Sequence, residues 1–340
     1  MKVVFLTPHV GGPGSFYEIY SDCLQVAARQ LGVDLEVLDG DKRRESMLAR
    51  GREILEGSTP PDYLLLVNYM NVGQELLPVG AAAGVGAFLV VEGMGRDERI
   101  ASSDQGQAGE GYLGEIVPDD AEAGRMLAEI LTSQARQRGL VDGTGKVKVG
   151  ILAGEHTHAG NARFRGWMEV KKQHDDIVQA GFQYGSWEEE AGRSAAALLL
   201  QTVPEISVIW CANDAMALGA LAAATEAGRR PGEDVLIGGV DLMDRALAQV
   251  GAGALEVSIG GHIIDGVRAL ILLHDHHEKQ DLEPATRTTH LVAVKADEAR
   301  RYLEFMESRA WRKADFTRFS SRTNPTATAD DLSLNAILNG

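Results

Sequence analysis

Residues 209–241 read IWCANDAMALGALAAATEAGRRPGEDVLIGGVD, and this stretch decides the fold. An apolar, β-branched run from Ile206 to Trp210 predicts a buried strand that stops at Asn213 and Asp214, where apolar residues switch to helical spacing. Asp214 is then the expected N-cap of a small-residue helix running from Ala215 to about Ala227. A Gly-Arg-Arg-Pro-Gly turn follows, and a second strand from Val235 to Val240 ends on Asp241. Strand, helix and strand make one unit of a parallel sheet. Both strands end on hydrogen-bonding side chains, Asn213 and Asp241, at the edge where open α/β sheets bind ligands.

The same alternation fills the rest of the chain. Towards the N-terminus it predicts strands at Val3–Leu6, Leu35–Leu38, Tyr63–Val67 and Ala87–Val91, with helices at Phe16–Leu31, Lys42–Glu56 and near Val72–Ala83. The first helix carries Phe16, Ile19, Tyr20, Cys23, Leu24, Ala27 and Leu31 on one stripe, as a helix packed on a sheet should. Arg96–Gly114 is polar, glycine-rich and without period, and reads as a loop with a short turn. After Ile116-Val117-Pro118-Asp119-Asp120 the alternation restarts: helix Ala121–Arg138, strand Val147–Leu152, helix Asn161–His174, strand Phe182–Tyr184 and helix Glu189–Thr202. Beyond Asp241 come helix Met243–Val250, strand Leu255–Ile259, helix His262–His274, strand His290–Val294 and a helix from Lys295 to about Arg309, and then a polar tail from Phe316. Two runs of this kind, each the size of a domain, imply an α/β fold of two doubly wound parallel-sheet lobes.

Composition narrows the function. The 340 residues suffice for two cores, 44% are hydrophobic, and no run of apolar residues is long enough to cross a membrane. A net charge of −16 argues against a nucleic-acid surface, which needs a concentrated excess of Lys and Arg. A small neutral or polyol-like ligand is compatible with it. Cys23 and Cys211 fall in different halves and read as two free, buried thiols. The first residues, Met-Lys-Val-Val-Phe-Leu-Thr-Pro, read directly as a strand and leave no room for a signal peptide, so the protein is expected either to be cytoplasmic or to begin after a removed signal.

Read at the carboxyl ends of the strands, the chain offers the Pro8–Ser15 loop with Phe16 and Tyr17, then Asn68, Glu92, the His156–Arg163 loop, Trp187, Asn213 and Asp241. Planar polar groups and aromatics of this kind suit a sugar, whose hydroxyls take paired hydrogen bonds and whose CH faces lie against rings.

The segment CANDAMALGALAAATEAG (211–228), followed by VLIGGVD (235–241), resembles the signature of type I periplasmic sugar-binding proteins such as the ribose binders. These share their fold with the ligand-binding core of lac-repressor-type regulators. The resemblance implies a multi-crossing hinge, with 1–117 and 261–290 in an N-terminal lobe, 118–260 and 291–340 in a C-terminal lobe, and a ligand cleft between them. It also implies a ligand set. Phe16 and Tyr17 match paired aromatics, Glu92 a frequent aspartate, Arg163 in Arg163-Phe-Arg-Gly166-Trp167 the arginine on sugar hydroxyls, Trp187 an aromatic wall, Asn213 the amide and Asp241 the carboxylate. Three departures leave the sugar unnamed: Gly-Gly-Pro-Gly-Ser in the first loop, Glu for Asp at 92, and Ser258-Ile-Gly-Gly-His262 where many relatives carry a glutamine. The implied protein is a periplasmic, monomeric, non-enzymatic binder that serves an ABC importer or a membrane sensor, without cofactor, metal or nucleic acid.

Each assignment has a structural rival. Phe16 and Tyr17 also fit a core, Glu92 a cap, and His262 either the cleft or a helix cap; Arg165 is the solvent-facing alternative to Arg163. His274, His276 and His277 read as a solvated helix end and not as a metal site. Gly143-Thr-Gly145-Lys146 precedes a strand, where a phosphate-binding loop follows one, and Gly84-Val-Gly86 lacks a third glycine. Two other functions stay open: the effector core of a LacI-type regulator, which calls for a preceding helix-turn-helix, and a sugar-modifying enzyme, for which Glu92 and Asp241 are the obvious acid and base. Asn213→Ala or Asp241→Ala is expected to abolish binding while leaving the fold intact.

Overall fold

The computed structural model describes residues 1–95, 98, 111–277, 281–282 and 285–338. Its strands are β1 (Lys2–Thr7), β2 (Asp34–Asp39), β3 (Tyr63–Leu66), β4 (Gly86–Val90), β5 (Tyr112–Pro118), β6 (Val147–Ala153), β7 (Ile177–Tyr184), β8 (Val208–Cys211), β9 (Leu236–Val240), β10 (Val257–Gly260), β11 (Thr286–Thr289) and β12 (Val292–Val294). They fall into two compact units, one of Met1–Pro118, His262–Thr289 and Ala310–Gly340, the other of Asp119–Gly261 and His290–Arg309.

The sheet of the first unit has the order β11-β5-β4-β3-β1-β2, with every neighbouring pair parallel. Its central strands are apolar on both faces; β3 reads Tyr-Leu-Leu-Leu and is buried throughout, as a strand inside a covered parallel sheet must be. β2, at the edge, is Asp-Leu-Glu-Val-Leu-Asp and has no fully buried residue. Helix Phe16–Leu31 packs against helix Asp265–His277, and Gly266 admits the ring of the buried Tyr20.

The sheet of the second unit has the order β12-β10-β9-β8-β6-β7, parallel except for β12 on β10. The two units therefore share one plan, β1–β5 matching β6–β10 in order. Backbone conformation repeats with it. Residues in the left-handed region follow β2 (Asp41 at φ 56° and Lys42 at 55°) and β7 (Ser186 at 49° and Trp187 at 62°). Others follow β4 (Val91 at 66°) and β9 (Asp241 at 130° and Leu242 at 58°). Such conformations are strained for side chains other than glycine, above all for Val91, and a fold keeps them where they aim a residue. Here they aim Glu92, Trp187 and Asp241.

Several expectations are corrected. The N-cap of helix Asp214–Glu226 is Asn213, whose Oδ1 accepts the Met216 N–H at 2.9 Å; its backbone is extended, while Asp214 is already helical and wholly buried. Tyr112–Gly114, read as loop, begins β5, where the φ of +125° at Gly114 and a register shift against β4 break the strand period. Residues 96, 97 and 99–110 of that predicted loop lie outside the described residues. The strand expected at His290–Val294 is β12 alone, and β11 just before it belongs to the other sheet. His262–Ile264 forms a 3-10 turn ahead of the α-helix Asp265–His277.

The tail is corrected too. Expected with the second unit from 291 to 340, it leaves that unit after Arg309. Trp311, Phe316, Phe319 and Leu332 bury themselves in the first unit. Trp311 Nε1 donates to Asp22 at 2.8 Å, Gln30 bonds both the Ala314 carbonyl and the Phe316 N–H at 2.8 Å, and Asp275 accepts from the hydroxyls of Ser320 and Ser321. The apolar anchors are too widely spaced to show a period.

Cys23 and Cys211 are buried free thiols, one in each unit. Among the described residues no helix is long and apolar enough to cross a membrane.

Candidate functional site

In the second unit, four of the residues predicted from strand ends come together. Helices Asp120–Gln137 and His158–Gln173 touch backbone to backbone, because Gly124 and Gly166 have no side chain to part them: a Cβ on either would lie 1.9 or 2.0 Å from the opposing carbonyl oxygen. This contact brings Arg163 against Asp120. Arg163 Nε donates to Asp120 Oδ1 at 2.7 Å, its Nη1 donates to the Ala212 carbonyl at 2.6 Å, and Asp241 Oδ1 lies 3.6 Å from Nη1. The guanidinium stands 5.5 Å from the centre of the Trp187 ring. That indole lies over Gly154 and Gly160, where a Cβ would come within 2.2 and 3.2 Å of it. Asn213 ties the wall to the floor, its Nδ2 donating to the Trp187 carbonyl at 3.2 Å. Arg163 is 4% exposed, while Arg165 faces solvent.

One guanidinium serves a cluster of three buried carboxyls. Asp214 accepts from Ser258 Oγ at 2.7 Å and from the Met243 N–H at 2.9 Å, and Ser258 Oγ in turn accepts the Leu242 N–H at 3.1 Å. This network braces the strained Asp241–Leu242 turn. Burial pushes the Asp241 carboxyl up to about 8; Arg163 opposes the shift, and Asp214 and Asp120 reinforce it. Burial likewise raises Asp214 to about 6 against its Ser258 and Met243 hydrogen bonds, and raises Asp120 in spite of Arg163. Such a cluster offers guanidinium and amide donors, carboxyl oxygens and one flat aromatic face, which are the groups that bind a polyhydroxylated ring.

In the first unit Phe16 and Tyr17 stand edge to face at 5.1 Å. His262, 1% exposed, lies ring to ring with Phe16 at 4.9 Å, and Tyr20 completes the aromatic cluster. Glu92 is at the end of β4, 7% exposed. Its loop is held by Glu115 of β5, which accepts the Met94 N–H at 2.9 Å and the Thr286 hydroxyl at 2.8 Å. Asn68 is fully buried and structural: its Oδ1 accepts the Gly73 N–H and its Nδ2 donates to the Gly93 carbonyl.

Residues 100–269 match the family model described as periplasmic binding protein domain. A periplasmic sugar-binding protein from Pseudomonas fluorescens is 31% identical, with a TM-score of 0.85 and 95% of each chain covered. The chain belongs to the periplasmic binding protein family. As a type I member of this family it shares 28% identity with the D-allose-binding periplasmic protein of Escherichia coli K12 over 64% of this chain and 67% of that one. An ABC transporter periplasmic solute binding protein from Actinobacillus succinogenes 130z, solved with bound D-allose, has a TM-score of 0.76 at 21% identity, covering 88% of this chain and 99% of that one; at this identity the likeness is one of fold.

Sequence reasoning about this periplasmic binding protein missed Asp120, Asp214 and Ser258 as parts of the cluster. Asp120 reads as a helix start, and only the glycine pair reveals that the helix carrying it meets Arg163. Among the described residues no group of three or more His, Cys, Asp or Glu is arranged to hold a metal. In the histidine run, His274 Nε2 accepts from Arg322 at 2.7 Å and so helps hold the tail; Glu278 lies outside the described residues.

Proposed function

We propose that this protein is an extracytoplasmic, non-enzymatic solute-binding protein that takes up a sugar or sugar-like ligand and delivers it to an ABC importer or a membrane sensor. The observation that carries this reading is the buried Arg163, fixed by Asp120, facing Asp241 and lying beside the Trp187 ring. The D-allose-binding relative of Escherichia coli and the sugar-binding neighbour from Pseudomonas fluorescens support the ligand class. In this reading Arg163, Trp187, Asn213 and Asp241 are the ligand groups of the second unit, and Phe16, Tyr17 and Glu92 are the candidate ligand groups of the first.

A thermal-shift screen against aldopentoses, aldohexoses, polyols and nucleosides tests the proposal, since a ligand bound only by the native state raises the melting temperature. A clear rise with one sugar class, without product on incubation, is expected. No rise with any sugar, or turnover of the bound one, overturns it.

A further inference from the structure

The edge of the second sheet carries aromatic groups that the Arg163 cluster does not use. Tyr184, the last residue of β7, is 46% exposed, and its hydroxyl lies 2.8 Å from His156 Nε2 with the ring centres 4.9 Å apart. Phe182 meets Tyr184 edge to face at 5.0 Å, and Phe164 meets Phe182 at 5.3 Å. These rings form a ladder over the edge strand and the first turns of helix His158–Gln173, ending in an exposed and internally hydrogen-bonded pair.

The ladder neighbours the proposed site along the chain. His156 lies between Gly154 and Gly160, the two glycines against the Trp187 indole, just ahead of helix His158–Gln173, and Tyr184 precedes Trp187 by one tight turn through the left-handed Ser186. Tyr184 is the carboxyl end of β7 and His156 follows that of β6, as Asn213 follows β8 and Asp241 follows β9. A tyrosine ring held in one orientation beside an imidazole presents what a sugar ring recognises: a flat face for its CH groups and polar atoms at the rim for its hydroxyls. Among the described residues Tyr184 is the one large aromatic side chain that is exposed, and it stands beside an exposed histidine.

We infer that His156 and Tyr184 form an outer subsite for a second sugar ring, glycosidically linked to the ring held by the Arg163 cluster, so that the ligand is a disaccharide or longer glycoside. This rests on the sugar-binding reading above.

The experiment is titration calorimetry of the full chain and of Tyr184→Ala, Tyr184→Phe and His156→Ala with glucose, galactose, xylose and arabinose, and with cellobiose, galactobiose, xylobiose and arabinobiose. One disaccharide is expected to bind roughly tenfold tighter than its monosaccharide, the upper end of a stacking contact. Tyr184→Ala should erase that ratio and leave monosaccharide affinity unchanged, while Tyr184→Phe should keep most of it. Monosaccharides binding as tightly as every disaccharide, or Tyr184→Ala weakening both alike, overturns the subsite and leaves sugar binding standing. Binding of neither class overturns both. A change of oligomeric state in Tyr184→Ala, measured by light scattering, would reassign the ladder to self-association.

Discussion

Arg163 donates its Nε–H to Asp120 at 2.7 Å, and so the residue expected to grip the ligand is itself gripped by a carboxylate the sequence did not mark. Both partners are buried, and the pair fixes the guanidinium before any ligand arrives. Preorganisation of this kind lowers the ordering cost of binding.

Removing one member of a buried ion pair leaves an uncompensated charge. Arg163→Ala is therefore expected to lose ligand binding and also about 3–5 kcal/mol of stability. Arg163→Lys should restore neither, because an ammonium cannot meet Asp120, the Ala212 carbonyl and the indole face together. Urea denaturation with and without ligand checks both effects. A fully stable Arg163→Ala would show that the Asp120 pair is not part of the fold.

The raised carboxyl of Asp241 makes stability depend on pH. Below its ordinary value of 3.8 the folded and unfolded chains both hold the proton, and the contribution is fully present. Between there and about 8 the folded chain keeps a proton that the unfolded chain has lost, so this contribution falls as pH rises. Asp214, raised to about 6, and Asp265, raised to about 7, act with the same sign. Asp241→Asn, neutral at every pH, should make the decline of the denaturation midpoint over this window shallower. An unchanged slope would remove Asp241 as its source.

Asn213 is a cap as well as a candidate ligand group, which alters the expectation that its loss spares the fold. Asn213→Ala should cost about 1 kcal/mol through the helix terminus and loosen Trp187 through the lost carbonyl bond. Asn213→Ser keeps a capping oxygen without the amide donor. Weak binding by a thermally normal Asn213→Ser would therefore separate the two roles; tight binding by it would show that the amide is not needed.

Trp311 anchors the tail, wholly buried and hydrogen-bonded to Asp22. Trp311→Ala should cost about 3–5 kcal/mol, the usual range for emptying a large aromatic site. Limited proteolysis should then cut first within the tail. Cleavage elsewhere, with the tail still protected, would mean that the other anchors suffice.

The alternation of buried strands and amphipathic helices by itself determined the α/β class and the two-run organisation, since hydrophobic period is a local property of the chain. The strand-end list held Arg163, Trp187, Asn213 and Asp241 for the same reason: a parallel sheet always presents its carboxyl ends at one edge. Only the tertiary structure decided how Asp120 reaches Arg163, because that depends on two glycines 42 positions apart, Gly124 and Gly166, facing each other across two helices. Tertiary structure alone also decided the tail, whose anchors Trp311, Phe316 and Phe319 have no period and take their meaning from the surface of the helix at Phe16–Leu31. The pKa values of the buried carboxyls belong to the same class, set by burial and by neighbours that no spacing along the chain reveals.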